Sequence, residues 1–316
     1  MAKALVIGGA TIDVIVPCTS RLDQVRSKKW DVAKIELEAG GGAVNTATVL
    51  SRLGRCVTIH CAIGDDAEGQ YIREKLAAEG IDLSHVEILA GLRTGRAVID
   101  VHDDGDVSVI AERGANLAFS GMLIKGFAAC EMVYITSAPT AVYGVLNDVF
   151  TNSVASHPKI AFNPGIRQIN EGGSEFEKLL KRTDLLIVNV LEAEQLLARL
   201  EGREIRSSPI ELCRDLAAFG PRTVCVTSGA SGAWLVSGHA DYFQPAQPSK
   251  VVSSIGAGDA FGATFAHFNF GGWPLERAAA LAATNAAAAV SRAGARTGVL
   301  SASRLLKNAL PGAAWL

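Results

Sequence analysis

The strongest constraint on how this chain can fold is an alternation. Four times a short apolar run is followed by a segment with helical spacing: 57–64 then 65–81, 130–136 then 139–152, 159–163 then 174–182, and 184–189 then 191–202. Runs such as LLIV at 185–188 carry no polar residue at alternate positions. A strand of that kind must be covered on both faces, and a helix between two such strands is the crossover that parallel pairing needs. Apolar runs at 3–7, 222–229 and 232–238, with helical spacing at 209–220, 274–292 and near 301–309, extend the pattern. The predicted fold is α/β, a central and mostly parallel sheet flanked by helices on both faces. A chain of 316 residues, 49% of them apolar, can fill the core of such a sheet.

Two stretches have a different period. Residues 32–38 (VAKIELE) alternate polar and apolar, and 93–112 hold two alternating runs around Asp103-Asp104-Gly105-Asp106. The second is a hairpin signal. With the short run Asp13–Val16 they predict a small β excursion, built from about 13–38 and 93–112, with one wet and one buried face. The chain reads as a single domain, 1–316, carrying this excursion within it. RGAN at 113–116 leads into an expected helix near 118–127.

A net charge of −2 leaves no basic field for nucleic acid or anionic lipid. The six cysteines, Cys18, Cys56, Cys61, Cys130, Cys213 and Cys225, form no CxxC pair, which suits reduced, mostly buried thiols in a cytoplasmic protein. The apolar start is broken by Gly8, Gly9 and Asp13 and reads as a strand, not a leader. Residues 278–290 are too short and too weakly apolar to span a bilayer. After the first strand there is neither a G-x-G-x-x-G pattern nor a following helix, which disfavours a nicotinamide-dependent dehydrogenase.

Chemistry concentrates at 253–268, SSIGAGDAFGATFAHF. Gly256 and Gly258 lie in a loop that becomes an apolar helix, and Asp259 sits at the junction. Glycines admit close backbone approach, and a helix N-terminus with its unpaired N–H groups suits a phosphate. A carboxylate there makes sense if it takes a proton from a hydroxyl while negative charge develops beside it, the arrangement phosphoryl transfer needs. Taken alone, GAGD reads more simply as a Gly-rich turn with a dipole-matched acid, since short Gly motifs are common. A second Gly-rich helix start, AGGGAVNTATVLSRLG at 39–54, places Asn45 in its first turn and Gly54 at its stop. It suits either a tight capped loop or backbone approach to a polar ligand with Asn45 bonding hydroxyls. Asn189, Gly229 and Gly256 all lie just past predicted strand ends, where ligands of open α/β sheets bind.

Asp13, GGGAVN at 40–45, NVLE at 189–192, TSGASGA at 227–233 and GAGD at 256–259 stand in an order and spacing that resembles the ribokinase-like, or PfkB, carbohydrate kinases over almost the whole chain. The resemblance implies ATP and Mg²⁺ as cofactors. It implies Asp259 as catalytic base and Gly256, Ala257 and Gly258 as the anion hole. Asp13, Gly41, Gly42 and Asn45 would hold the sugar. Asn189, Thr227, Gly229 and Asn285 would serve the nucleotide, with Glu192 organising Mg²⁺ through water. The β excursion would be a lid over the sugar and, in many members, a homodimer contact. For Glu192 an ordinary helix-start acid, and for Asn285 a polar residue in an Ala-rich helix, are the plainer readings. Ser253-Ser254 stand where many members have Asp-Thr, so the carboxylate that usually serves a K⁺ site is missing, and Thr264 replaces a smaller residue.

The activity so implied is ATP-dependent phosphorylation of a hydroxymethyl group on a small ribose- or fructose-like sugar. RGAN is similar to ribokinase-type members. A nucleoside kinase of the adenosine or pseudouridine type is the alternative, for which Val14, Val16, Ile35, Val98 and Ile110 could line a base pocket. Outside enzymes stands a non-catalytic sugar-binding homologue, with Ser253 its one hint.

Overall fold

The computed structural model describes residues 3–17, 31–32, 34–121, 130–152 and 158–309. In chain order the strands are β1 (Lys3–Ile7), β2 (Thr11–Pro17), β3 (Glu36–Gly40), β4 (Cys56–Gly64), β5 (Asp82–Leu89), β6 (Gly95–Val101), β7 (Val107–Glu112), β8 (Met132–Ile135), β9 (Lys159–Phe162), β10 (Leu185–Asn189), β11 (Thr223–Thr227), β12 (Ala233–Ser237) and β13 (Ala240–Gln244). The helices are α1 (Gly42–Arg52), α2 (Ala67–Ala78), α3 (Thr140–Asn152), α4 (Ile166–Glu171), α5 (Ser174–Arg182), α6 (Val190–Glu201), α7 (Pro209–Ala217), α8 (Ala257–Phe270), α9 (Leu275–Val290) and α10 (Ala302–Ala309).

The large sheet runs β13-β12-β11-β10-β9-β8-β1-β4-β5. Every pairing from β11 to β5 is parallel, and β12 and β13 add an antiparallel edge. Strand residues alternate between two cores. Ala4, Val6, Met132, Tyr134, Leu185 and Ile187 pack with Val44, Phe265 and Leu281 of α1, α8 and α9. Leu5, Ile7, Val133, Ile135, Leu186 and Val188 pack with Tyr143, Phe176, Leu196 and Leu212 of α3, α5, α6 and α7. Double-sided burial is why these strands read as unbroken apolar runs. Each large side chain so buried contributes about 1.5–3 kcal/mol.

The β excursion is a separate sheet, β3-β2-β6-β7. Its inner face, Ile15, Ala97 and Ile99, packs with Ile255, one residue before Gly256. Its outer face is exposed and mixed: Leu37, Val98 and Ile110 lie open on the same face as Arg96 and Glu112. Asp66 holds the sheet's base to the main body by capping α2 at Gly69 N–H and accepting the Thr94 N–H and hydroxyl, 2.8 and 2.6 Å away.

Several expectations shift. The strand expected at 32–38 lies at β3, which starts four residues later and ends two later. RGAN forms a short 3-10 turn over Gly114–Leu117, and 118–121 is not helical; the rest of the helix expected near 118–127 lies outside the described residues, as do Cys18 and most of the excursion's first segment. Cys61, Cys130, Cys213 and Cys225 are free and buried, and Cys56 is exposed. No helix among the described residues is long and apolar enough to cross a membrane.

Candidate active site

Two helix starts meet at the site. At α1 the chain leaves β3 through three glycines. A Cβ on Gly40 would overlap the Asp13 carboxylate, and Gly41, at φ 90°, presses against the Gly9 carbonyl. This approach lets Asp13 lie buried, 6% exposed, with Thr11 Oγ1 donating to its Oδ1 at 2.6 Å. Burial pushes the Asp13 carboxyl up to about 6; the charges of Glu38 and Asp259 push the same way, while the Thr11 bond and Arg296 oppose them.

At α8 the helix starts from Gly256, which caps it in the left-handed conformation (φ 72°, ψ 0°); a Cβ there would meet Ala295. The Ala257 N–H makes only a long bond, 3.3 Å, to the Ser254 carbonyl. Gly258 faces open space: nothing lies within 4 Å of where its Cβ would be. Asp259, half-buried in the first turn, accepts a 2.8 Å hydrogen bond on Oδ2 from Asn45 Nδ2. This bond joins the two Gly-rich motifs across 214 residues. Burial raises the Asp259 carboxyl to about 6, and the Asn45 bond works against that rise. Such a group is mostly ionised at neutral pH yet basic enough to share a proton with a hydroxyl.

Two cavities border these helix starts, one through Gly41 and Gly42 and the other through Ala257 and Gly258; Asn45 and Asp259 are not among the residues lining either. One, about 340 Å³, is polar; Gly41 and Gly42 form one wall, and Arg113, Ser137, Arg167 and Gln168 form the far one. The other, about 580 Å³ and mainly apolar, is bounded by Gly258, Phe261, Ala283, Ala286, Thr227 and Gly229. The Asp104-Gly105-Asp106 turn of the small sheet also reaches this second cavity, and the Gly105 carbonyl accepts the Ser254 N–H at 2.9 Å. The hairpin was legible in the sequence, but not the landing of its tip beside the loop that leads to Gly256.

Asn189 and Glu192 form a capping box on α6. Asn189 Oδ1 accepts the Glu192 N–H at 2.8 Å, and Glu192 Oε2 accepts the Asn189 N–H at 2.9 Å. The plainer reading of Glu192 as a helix-start acid therefore describes part of its work. Its carboxyl is also raised, by burial first and then by the charge of Asp259, which places the two acids in one field. Thr227 Oγ1 donates weakly, at 3.4 Å, to the Val188 carbonyl. Gly229 opens a short 3-10 turn.

Asn285 does not line the apolar cavity; Ala283, Ala286 and Ala287 of the same helix do. It is fully buried, donates to Thr264 Oγ1 at 2.8 Å and accepts the Leu300 N–H at 2.9 Å. The larger Thr264 is thus the partner that satisfies a buried amide, and both residues tie α8, α9 and the chain near Leu300 together. Ser253 is buried, and its hydroxyl accepts the Ile255 N–H at 3.3 Å.

Sequence reasoning missed the far wall of the polar cavity. Arg113 and Asn116 sit inside RGAN, the only signal that pointed there; Asn116 uses its whole amide on Ala10, bonding both its N–H and its carbonyl at 2.8 Å. Arg167 and Gln168 belong to α4, a helix too short to show a period.

The profile of the pfkB family carbohydrate kinases matches residues 1–302. An ATP-dependent ribose-1-phosphate kinase from Halopiger xanaduensis is 28% identical over 302 residues, 94% of this chain and 95% of that one. A fructokinase from Klebsiella pneumoniae is 28% identical over 266 residues, 82% of this chain and 81% of that one. An Arabidopsis thaliana ribokinase solved with ribose and ATP superposes with a TM-score of 0.80 at 24% identity, covering 98% of this chain and 99% of that one. A profile spanning nearly the whole chain, on a matching fold, shows that this protein belongs to the pfkB family of carbohydrate kinases and is a phosphotransferase.

Proposed function

We propose that this chain transfers the γ-phosphoryl group of ATP to a hydroxymethyl group of a small ribose- or fructose-like carbohydrate, with Asp259 as the base. The observation that carries this reading is the Asn45–Asp259 hydrogen bond, which holds a half-buried carboxylate at a helix N-terminus and joins the helix start that borders the polar cavity to the one that borders the apolar cavity. The names of its relatives, a fructokinase and a ribose-1-phosphate kinase, support the substrate class.

In this reading the acceptor lies in the polar cavity. Asp13 accepts hydrogen bonds from the hydroxyls, and Gly41 and Gly42 form the wall against which the sugar lies. Asn45 orients the Asp259 carboxylate, which takes the proton of the attacking hydroxyl. The first-turn N–H groups of Gly256, Ala257 and Gly258 meet the charge on the transferred group. The apolar cavity takes the nucleotide, with Thr227 and Gly229 on its phosphate side and the alanines of α9 beside the base.

Glu192 would organise a Mg²⁺ ion through water: it is half-buried in the first turn of α6, where one carboxylate oxygen caps the Asn189 N–H. When bound, Mg²⁺ offsets phosphate charge. K⁺ fits poorly, since the neutral Ser253 hydroxyl brings no charge to oppose it, and no step depends on it. The small sheet acts as a lid within a single domain, and its open apolar residues suit a homodimer contact. A nucleoside is the second choice, because Thr11, Arg113, Ser137, Arg167 and Gln168 line the polar cavity with hydrogen-bonding groups that suit hydroxyls.

The test is ADP release with Mg-ATP over pentoses, hexoses and nucleosides. Turnover with one sugar class is expected. Turnover confined to nucleosides would move the acceptor assignment, and none with any acceptor would remove the kinase reading.

A further inference from the structure

We infer that Tyr134 is a positioning residue for the transfer: its buried hydroxyl turns its hydrogen towards the Asp259 carboxylate and favours the charged form that accepts a proton. The inference rests on the proposed reading of Asp259 as the base.

Tyr134 lies in β8 between Val6 of β1 and Ala161 of β9, one residue before the strand's carboxyl end. Its side chain is fully buried, in the core that α8 covers. A hydroxyl there needs room and a partner. Gly262 supplies the room: a Cβ on that glycine would collide with the Tyr134 hydroxyl and press on Ile187. A glycine inside a helix is otherwise unfavourable, and this one leaves a slot for the phenol oxygen. Gly262 stands three residues after Asp259 in α8, on the same side of the helix. A helical Cβ leans towards the N-terminus, so an oxygen in its place lies over the turn that begins at Asp259.

The partner is not supplied by a direct contact. The Tyr134 hydroxyl has no hydrogen-bond partner among the described residues, a rare state for a buried polar group and one that calls for a cause. Two ionisable groups act on it, Asp259 and Cys225 of β11. Burial holds the Cys225 thiol well above its usual range and therefore neutral, which leaves Asp259 as the anion of the pair. An O–H that no acceptor fixes rotates to suit the local field, and beside a carboxylate it points its hydrogen at the charge. Burial first, and then the charge of Asp259, holds the phenol well above its usual range, so it lends that hydrogen without giving up the proton. Among the described residues the Asp259 carboxylate accepts one hydrogen bond, from Asn45 of α1. Asp13 of β2 and Glu192 of α6 lie within reach of its charge, and like charges oppose ionisation of the set. The phenol dipole, acting through a low-dielectric interior, offsets part of that opposition.

The test uses Tyr134→Phe, which removes the hydroxyl and little else. The full chain is labelled with ¹³C at its aspartate carboxyls, and the resonance that Asp259→Asn lacks is followed by NMR against pH. Asp13, which titrates in the same range, is thereby read apart. In Tyr134→Phe the Asp259 midpoint should rise by about half to one pH unit. With Mg-ATP and saturating ribose or fructose, whichever turns over, kcat should fall about three- to tenfold at pH 5 and stay within about twofold at pH 8. The melting temperature should not fall, since a buried hydroxyl without a partner adds nothing to stability. Tyr143→Phe, which alters a buried tyrosine in the core on the other face of the sheet, is the control and should leave the Asp259 midpoint in place. An unmoved midpoint in Tyr134→Phe overturns the inference, and so does a loss of kcat that is equal at both pH values, the mark of a structural role alone. ADP release that persists in the parent beside an unmoved midpoint leaves the kinase reading standing. A midpoint that rises, with no ADP release by the parent from any acceptor, removes the kinase reading and leaves the action of Tyr134 on Asp259 in place.

Discussion

The starts of α1 and α8 look alike in sequence, yet their glycines are held for opposite reasons. At α1 the glycines are enclosed by protein: Gly40 lies on the Asp13 carboxylate, Gly41 on the Gly9 carbonyl and Gly42 against Thr136. At α8 only Gly256 is enclosed, by Ala295, while Gly258 faces an open cavity. The first set shapes a wall, bringing Asp13 and Asn45 to the site by packing. Gly258 leaves room that only a ligand can use. A Gly-rich motif is therefore two things, a packing device and an access device, and the residues around it tell which.

The largest effect that would break this contrast is expected at Gly41. Gly41→Ala forces a side chain into the left-handed region and onto the Gly9 carbonyl, costing about 2–4 kcal/mol, so denaturant unfolding should show the loss directly. Gly258→Ala should leave the unfolding midpoint within about 0.5 kcal/mol of the parent. It should lower kcat/KM by roughly 10²-fold, because its Cβ enters the space beside the transferred group. Destabilisation by both, or by neither, would erase the distinction.

Asp13 sharpens it from the side of charge. Its carboxyl is raised from 3.8 to about 6, so its ionisation opposes folding. A group with a raised folded value stabilises most below 3.8, and that contribution is lost as pH rises through about 6. Asp13→Asn should therefore stabilise the fold at pH 7.5 by on the order of 2 kcal/mol, with the gain vanishing near pH 4, while sugar affinity falls. Thermal melts at the two pH values check the sign. The smallest effect is expected at Asn285. Asn285→Ala strands the Leu300 N–H and should cost about 1–2 kcal/mol of stability while leaving the KM for ATP within twofold.

The fold was largely legible because double-sided burial leaves a plain mark. What escaped lay where that mark is weak. β5 is an edge strand whose Asp82, Ser84, His85 and Glu87 interrupt any apolar run, and β13 is a five-residue edge strand paired only with β12. α4 has six residues, too few to display a helical period. Within the site, residue types were legible and partnerships were not. Asn45 was expected to bond a ligand's hydroxyls, and it bonds Asp259; NxxE was expected at the nucleotide, and it also caps a helix. Asn285 was expected beside adenine, and with Thr264 it closes a buried pair. Contacts between residues that lie far apart in the chain leave no local periodicity to read.

The central claim is that Asp259 is the base, and the pH dependence of kcat/KM for the parent beside Asp259→Asn tests it most directly. The parent should lose activity tenfold per pH unit below about 6, following the Asp259 carboxyl. The variant should be slower by roughly 10²–10⁴ and keep only the shallower acid dependence that Asp13 contributes through sugar binding. A variant that keeps near-parental turnover, or the same acid limb, would contradict the account.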